Sequence, residues 1–118
     1  MKWDIEYSDE FEKWWDTLSE AEQESVAVSV GLLEIMGPNL PRPHSDTVKG
    51  SRFKNMKELR TQHAGQPYRT LYAFDPRRTA ILLIGGNKTE NNDWYQTYIP
   101  IADKLYEKHL EEIKNEEV

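Results

Sequence analysis

The chain has no cysteine. That excludes a disulfide framework, a thiolate nucleophile and any cysteine-ligated zinc or iron–sulfur site, and it suits a reducing compartment. Histidine is scarce too. His44, His63 and His109 are scattered and the acids fall mostly on segments with helical spacing, so no metal-ligand cluster is legible and metal-dependent hydrolysis is disfavoured. Long apolar runs are missing: the longest, Ala80 to Ile84, is far too short to cross a bilayer, and Met1-Lys2-Trp3-Asp4-Ile5-Glu6 contains no apolar signal region. The expectation is a cytoplasmic, unanchored protein with no membrane partner, no metal and no small-molecule cofactor. A phosphate-cradling loop is also lacking, because Gly85-Gly86-Asn87-Lys88 has neither the preceding spacing of a P-loop nor a clear helix after it.

What is present is a folded composition. With 118 residues, 37% apolar, 31% charged and 11% aromatic, residues 1–118 read as one domain around a single core, the last few forming a frayed acidic tail. The net charge of −6 argues against a generic nucleic-acid binder, but it hides a segregation: residues 1–41 carry −8, residues 42–88 carry +7 and residues 89–118 carry −5. If the fold gathers the central segment on one face, that face attracts a polyanion although the whole protein is acidic.

Trp3, Ile5 and Tyr7 alternate with polar residues, the pattern of a short strand. Asp9 precedes Glu12 at capping-box spacing, and Phe11, Trp14, Trp15 and Leu18 fall on one helical face. Ser19-Glu20-Ala21-Glu22 is a second capping box, after which a stripe through Val26, Val30 and Leu33 runs to the stop at Gly37-Pro38. Residues 9–36 therefore read as a helical hairpin, with Trp14 and Trp15 as core side chains rather than a base-stacking platform. Residues 37–55, with prolines at 38, 41 and 43, read as a loop long enough to be a functional candidate. Met56–Gln62, Tyr68–Phe74 and Thr79–Ile84 read as an antiparallel meander turning at 64–67 and 75–78. A polar stretch extends to about Tyr98, and Ile101, Leu105, Tyr106, Leu110 and Ile113 mark a last helix. The expected class is α+β in the order β-α-α-β-β-β-α, an N-terminal strand and helical hairpin packed on an antiparallel sheet.

A four-residue loop at 64–67 would set His63 opposite Tyr68 and Arg60 opposite Leu71. Arg60 and Arg69 then project from the same face as diagonal neighbours roughly 7–8 Å apart at Cβ, close enough to share one phosphate. A slip of one residue would separate them onto opposite faces. Arg52, Lys54 and Lys57 lead into this hairpin, Arg77 and Arg78 sit in the next turn and Lys88 follows the third strand. Paired guanidinium groups suit the extra charge of a phosphorane, and in RNA the 2′-hydroxyl is an internal nucleophile, so cleavage needs only a proton acceptor and a proton donor. His63, Lys57, Lys88 and Tyr95 or Tyr98 are the candidates. Taken singly, an exposed strand arginine is usually solvated or paired with an acid such as Glu58.

Lys57-Glu58-Leu59-Arg60, then Pro67-Tyr68-Arg69-Thr70-Leu71-Tyr72, then Ile81-Leu82-Leu83-Ile84-Gly85-Gly86-Asn87-Lys88 resembles the RelE/ParE toxin superfamily, in its phage Gp49-like, HigB-type branch. The resemblance covers nearly the whole chain, with its specificity in residues 57–88. It implies a RelE-like fold and the toxin of a type II toxin–antitoxin pair, an endoribonuclease (mRNA interferase) cutting messenger in the ribosomal A site. It also implies a cognate helix-turn-helix antitoxin of the HigA or Xre kind. Arg60 and Arg69 resemble the family's phosphate-binding arginines, Lys88 the basic residue after the last strand, Lys57 the strand lysines used in proton transfer and Tyr95 the tyrosine near the chain end. Arg52, Lys54, Arg77 and Arg78 are the expected further RNA contacts. Glu58 stands where RelE has a lysine. The alternative is a non-enzymatic relative acting by protein binding, as a gyrase inhibitor or an inactive antitoxin partner.

Overall fold

A computed structural model describes residues 2–116. The elements are β1 (Ile5–Tyr7), α1 (Asp9–Asp16), α2 (Glu20–Met36), β2 (Ser45–Thr47), β3 (Lys57–His63), β4 (Gln66–Phe74), β5 (Ala80–Asn87) and α3 (Trp94–Glu116), with short 3₁₀ turns at Gly37–Asn39 and Lys88–Glu90. Five strands form one sheet in the order β1-β5-β4-β3-β2, antiparallel except for β1, which pairs parallel to β5. This is the expected α+β class. Glu117 and Val118, the end of the predicted frayed tail, lie outside the described residues.

Strand alternation divides the interior in two. Leu59, Tyr68, Tyr72 and Leu82 pack with Phe11, Val26 and Leu33 of the helical hairpin. Leu71, Ala73, Ile81 and Leu83 pack with Trp94, Ile99, Ala102 and Tyr106 of α3. Two consecutive glycines on β5 make room for a tryptophan on each side. A Cβ on Gly85 would lie 2.3 Å from atoms of the Trp14 ring, and one on Gly86 would lie 2.6 Å from Trp94 Nε1.

The capping box at Ser19 and Glu22 is present, Ser19 N–H donating to Glu22 at 2.8 Å. The first helix starts one residue earlier than its Asp9-Glu12 spacing suggests: Ser8 is the cap, accepting from Phe11 N–H at 3.1 Å while its hydroxyl donates to the Leu83 carbonyl. The hairpin turn is shorter than expected. Ala64 and Gly65 both take positive φ, 51° and 78°, a two-residue turn of the primed type that matches strand twist. His63 therefore faces Gln66, and Arg60 faces Arg69 directly. The pairing moved by two residues, so parity and the shared face survive.

Within the supposed loop 37–55, Ser45–Thr47 pairs with Lys57–Leu59 as an edge strand too short and polar to show in a pattern. The last helix begins at Trp94, well before the predicted start, and carries Pro100 inside it. Asn91 accepts the Asp93 N–H at 2.8 Å to begin the turn, buried Trp94 anchors it on Gly86, and Pro100 sits on the exposed side. That anchoring outweighs a proline's preference to end a helix.

The far end of the sheet is held by Asp75. Its carboxylate accepts from Arg77 N–H (2.8 Å), Thr79 N–H (3.2 Å), the Arg77 guanidinium (2.8 Å) and His109 (2.9 Å). Burial pushes the Asp75 pKa up, but these hydrogen bonds outweigh it and hold the carboxyl below its ordinary value. Asp75 thus stabilises the fold above the unfolded-state carboxyl pKa of about 3.9, and this contribution is lost as pH falls through the lower folded value. Asp75→Asn is expected to lose about 2–3 kcal/mol near neutral pH in urea melts, with a shallower fall in stability than wild type as acid is approached. Ala64→Asn, which suits the left-handed turn, is expected to raise stability by about 0.5–1 kcal/mol in the same assay.

Candidate active site

The site lies on the α3 side of the β3–β4 hairpin. Glu58 and Arg60 occupy alternate positions of β3, and because Leu59 between them enters the α1/α2 core, both point the other way. On β4, Arg69 shares the face of Leu71 and Ala73, which pack under α3. Direct cross-strand pairing brings Arg60 and Arg69 side by side.

Between them lies a carboxylate. Glu58 is 4% exposed and accepts from Arg60 Nε at 3.0 Å and Nη2 at 2.9 Å; its other oxygen lies 3.6 Å from Arg69 Nε and accepts the Tyr95 hydroxyl at 2.5 Å. Arg69 Nη1 donates to the Tyr68 carbonyl at 3.0 Å, while its buried Nε has no hydrogen-bond partner. Tyr95 comes from the first turn of α3, and Lys88 Nζ stands 5.1 Å from the centre of its ring. Asp46 of β2 completes the cluster, its Oδ2 3.3 Å from Arg60 Nη2 and 2.8 Å from Arg42 Nη2.

The electrostatics follow from these contacts. The hydrogen bond to Glu58 pushes the Arg60 pKa up, which keeps the guanidinium charged. Burial first, then the hydrogen bond to Glu58, push the Tyr95 phenol up, so it is a protonated donor at neutral pH. Four cations surround two carboxylates, leaving the cluster net positive in an acidic protein. Chemically it offers an anion-binding pair of guanidiniums, a carboxylate able to accept a proton and an ammonium able to give one.

Of the residues singled out in the sequence, Arg60, Arg69, Lys88 and Tyr95 are brought together here. Lys57 and His63 share the parity of Leu59, so they belong to the opposite face. His63 Nδ1 meets Ser25 Oγ at 2.7 Å, and its ring stands edge-on to Tyr68. Arg52 is tied to α3 through Glu107 at 2.6 Å and Asp103, and Lys54 is exposed in the loop before β3. Arg77 and Arg78 are in the β4–β5 turn at the far end of the sheet, bound to Asp75 and Glu6 and stacked over Trp3. Tyr98 stacks on Trp94 with ring centres 4.8 Å apart. A single cationic face therefore does not form from the central segment.

Glu58, named in the sequence only as an ordinary partner for a strand arginine, does pair with Arg60 and sits at the centre of the cluster. Arg42 and Asp46 were missed and carried no signal, because β2 was invisible. Among the described residues there is no group of three or more His, Asp or Glu side chains arranged to hold a metal ion, and no helix is long and apolar enough to cross a membrane.

This architecture is the RelE-type fold. The chain superimposes on free RelE toxin of Escherichia coli with a TM-score of 0.57 (12% identity, 80% of this chain and 92% of that one). It matches the RelBE2 toxin–antitoxin complex of Mycobacterium tuberculosis with 0.55 (15% identity, 74% and 99%) and the archaeal RelE–RelB complex of Pyrococcus horikoshii with 0.55 (16%, 77% and 100%). Residues 13–107 match the model of the phage-derived protein Gp49-like family, and the chain belongs to that family. It is 49% identical over 100 residues to the M. tuberculosis protein named toxin HigB3, covering 84% of this chain and 86% of HigB3. It is 42% identical over 104 residues to the one named HigB2, of which it spans only about half (52%) while 86% of this chain is covered.

Glu58→Gln removes the charge that holds the Tyr95 proton. In an ultraviolet difference titration, with Tyr95→Phe identifying the signal, the Tyr95 phenol is expected to ionise at lower pH in Glu58→Gln than in wild type.

Proposed function

We propose that the protein is the toxin of a type II toxin–antitoxin pair and an endoribonuclease that cleaves mRNA. The observation that carries this reading is the direct pairing of Arg60 with Arg69 around Glu58 and Tyr95. A scissile phosphate seated on the two guanidiniums places its 2′-hydroxyl beside the Glu58 carboxylate. Glu58 takes the 2′-proton, the 2′-oxygen bonds to phosphorus and the P–O5′ bond breaks. The Lys88 ammonium protonates the leaving 5′-oxygen, giving a 2′,3′-cyclic phosphate and a 5′-hydroxyl. Arg60 and Arg69 stabilise the phosphorane, the kind of electrostatic contribution that is usually the largest in such a reaction. Tyr95, donating to Glu58, orients the base. Both protons and the developing charge are handled by side chains, which supports a metal-independent reaction.

Two further features of the reading come from the company these folds keep. RelE-fold toxins are solved with antitoxins bound, which supports a cognate antitoxin here, in the HigB-type branch a helix-turn-helix protein. The substrate is messenger in the ribosomal A site, in the cytoplasm.

One observation favours a second reading. Glu58 already neutralises part of the arginine pair, as expected of a non-enzymatic relative that acts by binding gyrase or only its antitoxin.

Expression in growing cells followed by primer extension separates the two. Cuts within translated codons are expected, falling about 100- to 1,000-fold in Arg69→Ala, the range for removing one charge-stabilising donor. Glu58→Ala is expected to lose cutting as well, because the 2′-hydroxyl then has no acceptor. Intact message in cells arrested by the wild-type protein overturns the nuclease reading.

A further inference from the structure

The loop between α2 and β2 delivers a third guanidinium to the site. Arg42 Nε and Nη2 donate to Asp46 Oδ2 at 3.0 and 2.8 Å, and Arg60 Nη2 reaches the same oxygen at 3.3 Å. The Arg42 and Arg60 terminal nitrogens are thus each within 3.3 Å of one atom, less than twice that distance from each other. Asp46 is itself anchored, its Oδ1 accepting the Thr47 N–H at 2.9 Å and its backbone paired opposite Glu58. The hydrogen bond from Arg42 holds its carboxyl below the ordinary range. Arg42 differs from its neighbours in exposure: its side chain is 75% exposed, against 32% for Arg60 and 12% for Arg69. Arg69 on β4, Arg60 on β3 and Arg42 in the loop before β2 step outward from a buried guanidinium to one in solvent, and Lys88 stands in the turn after β5 on the other side.

We propose that Arg42 binds the phosphate next to the scissile one, so that single-stranded RNA crosses the sheet at right angles to the strands, from Lys88 over Arg69 and Arg60 to Arg42. The inference rests on the nuclease reading and assigns a role to the loop that reading leaves unused. Arg69 and Arg60 lie on adjacent strands, about 4.8 Å apart, and Asp46 sets the Arg42 guanidinium beside Arg60, so neighbouring phosphates of one chain can meet neighbouring cations. Asp46 acts as a positioning residue. It holds two nitrogens of Arg42 on one carboxylate oxygen, and the exposed guanidinium keeps further N–H groups for a phosphate oxygen. Recognition through phosphate alone carries no base preference, so Arg42 contributes affinity and register.

The test uses the full chain and a fluorescein-labelled single-stranded RNA carrying 2′-O-methyl groups throughout, which cannot be cleaved. Fluorescence anisotropy is followed from low to moderate salt. Arg42→Ala is expected to weaken binding several-fold and to reduce the slope of log affinity against log salt by about 0.7, the value for one phosphate contact on a single strand. Arg42→Lys keeps the charge and is expected to restore the slope with part of the affinity, which a merely structural role would not produce. Circular dichroism confirms that each variant is folded. Unchanged affinity and slope in Arg42→Ala, with binding lost in Arg69→Ala, overturns the role of Arg42 and leaves the nuclease reading standing. Unchanged binding in Arg69→Ala, or none by the wild-type protein at low salt, overturns the track, while the nuclease reading is decided separately by the cuts seen in primer extension.

Discussion

Everything on the α3 side of the sheet depends on the register of β3 against β4. A two-residue turn at Ala64-Gly65 sets Arg60 opposite Arg69, and the pleat puts Glu58 on the same side. The alternate residues Leu59, Tyr68 and Tyr72 fill the core beneath α1 and α2. A shift of one residue would drive a guanidinium under α2 and lift a leucine into the site, exchanging apolar burial for an unpaired buried charge on both faces. The hydrophobic pattern on one face thus enforces the polar constellation on the other. Function and stability share one pairing.

That constellation is built around an anion of its own. Glu58 is buried among two arginines and a tyrosine, and its desolvation is offset by the hydrogen bonds that Arg60 and Tyr95 donate and by the charge of Arg69 3.6 Å away. Its partners are only partly satisfied: Arg69 keeps a buried N–H without an acceptor. The Arg60 guanidinium, about one-third exposed, and the Lys88 ammonium remain the groups that the proposed reading turns toward a second anion. Elsewhere the basic segment is dispersed. Arg52 is held by Asp103 and Glu107 on α3, and Arg77 by Asp75 and Glu6. The last helix, the first strand and the β4–β5 turn supply these carboxylates, so much of the basic segment's charge is neutralised away from Arg60 and Arg69.

Gly85 and Gly86 link the two cores to the site. Their missing side chains let Trp14 settle on one face of β5 and Trp94 on the other. Trp94 carries the first turn of α3 with it, and that turn supplies Tyr95. The two glycines, which lack the spacing of a phosphate loop, act as sockets. Close packing of a large ring onto bare backbone decides where α3 begins, and it overrides the local signal of Pro100.

The sequence by itself determined the α+β class, the helical hairpin with its Ser19 cap, the three central strands and the common face of Arg60 and Arg69. These are local matters of periodicity, capping and parity, each readable within a few residues. It did not reveal the edge strand at Ser45–Thr47, the early start of α3, the placing of Lys57 and His63 behind the sheet, or the positions of Glu58 between the two arginines and of Arg42 beside them. The reason is physical. Which cations meet and which are locked to carboxylates depends on contacts such as Asp46 with Arg42 and Arg60, or Tyr95 with Glu58, 37 residues apart in the chain. Arg42 and Asp46 are four residues apart, but their meeting with Arg60, like that of Tyr95 with Glu58, joins segments distant in the chain. Only the packed sheet, with its register and its tryptophan sockets, brings those groups within hydrogen-bonding distance.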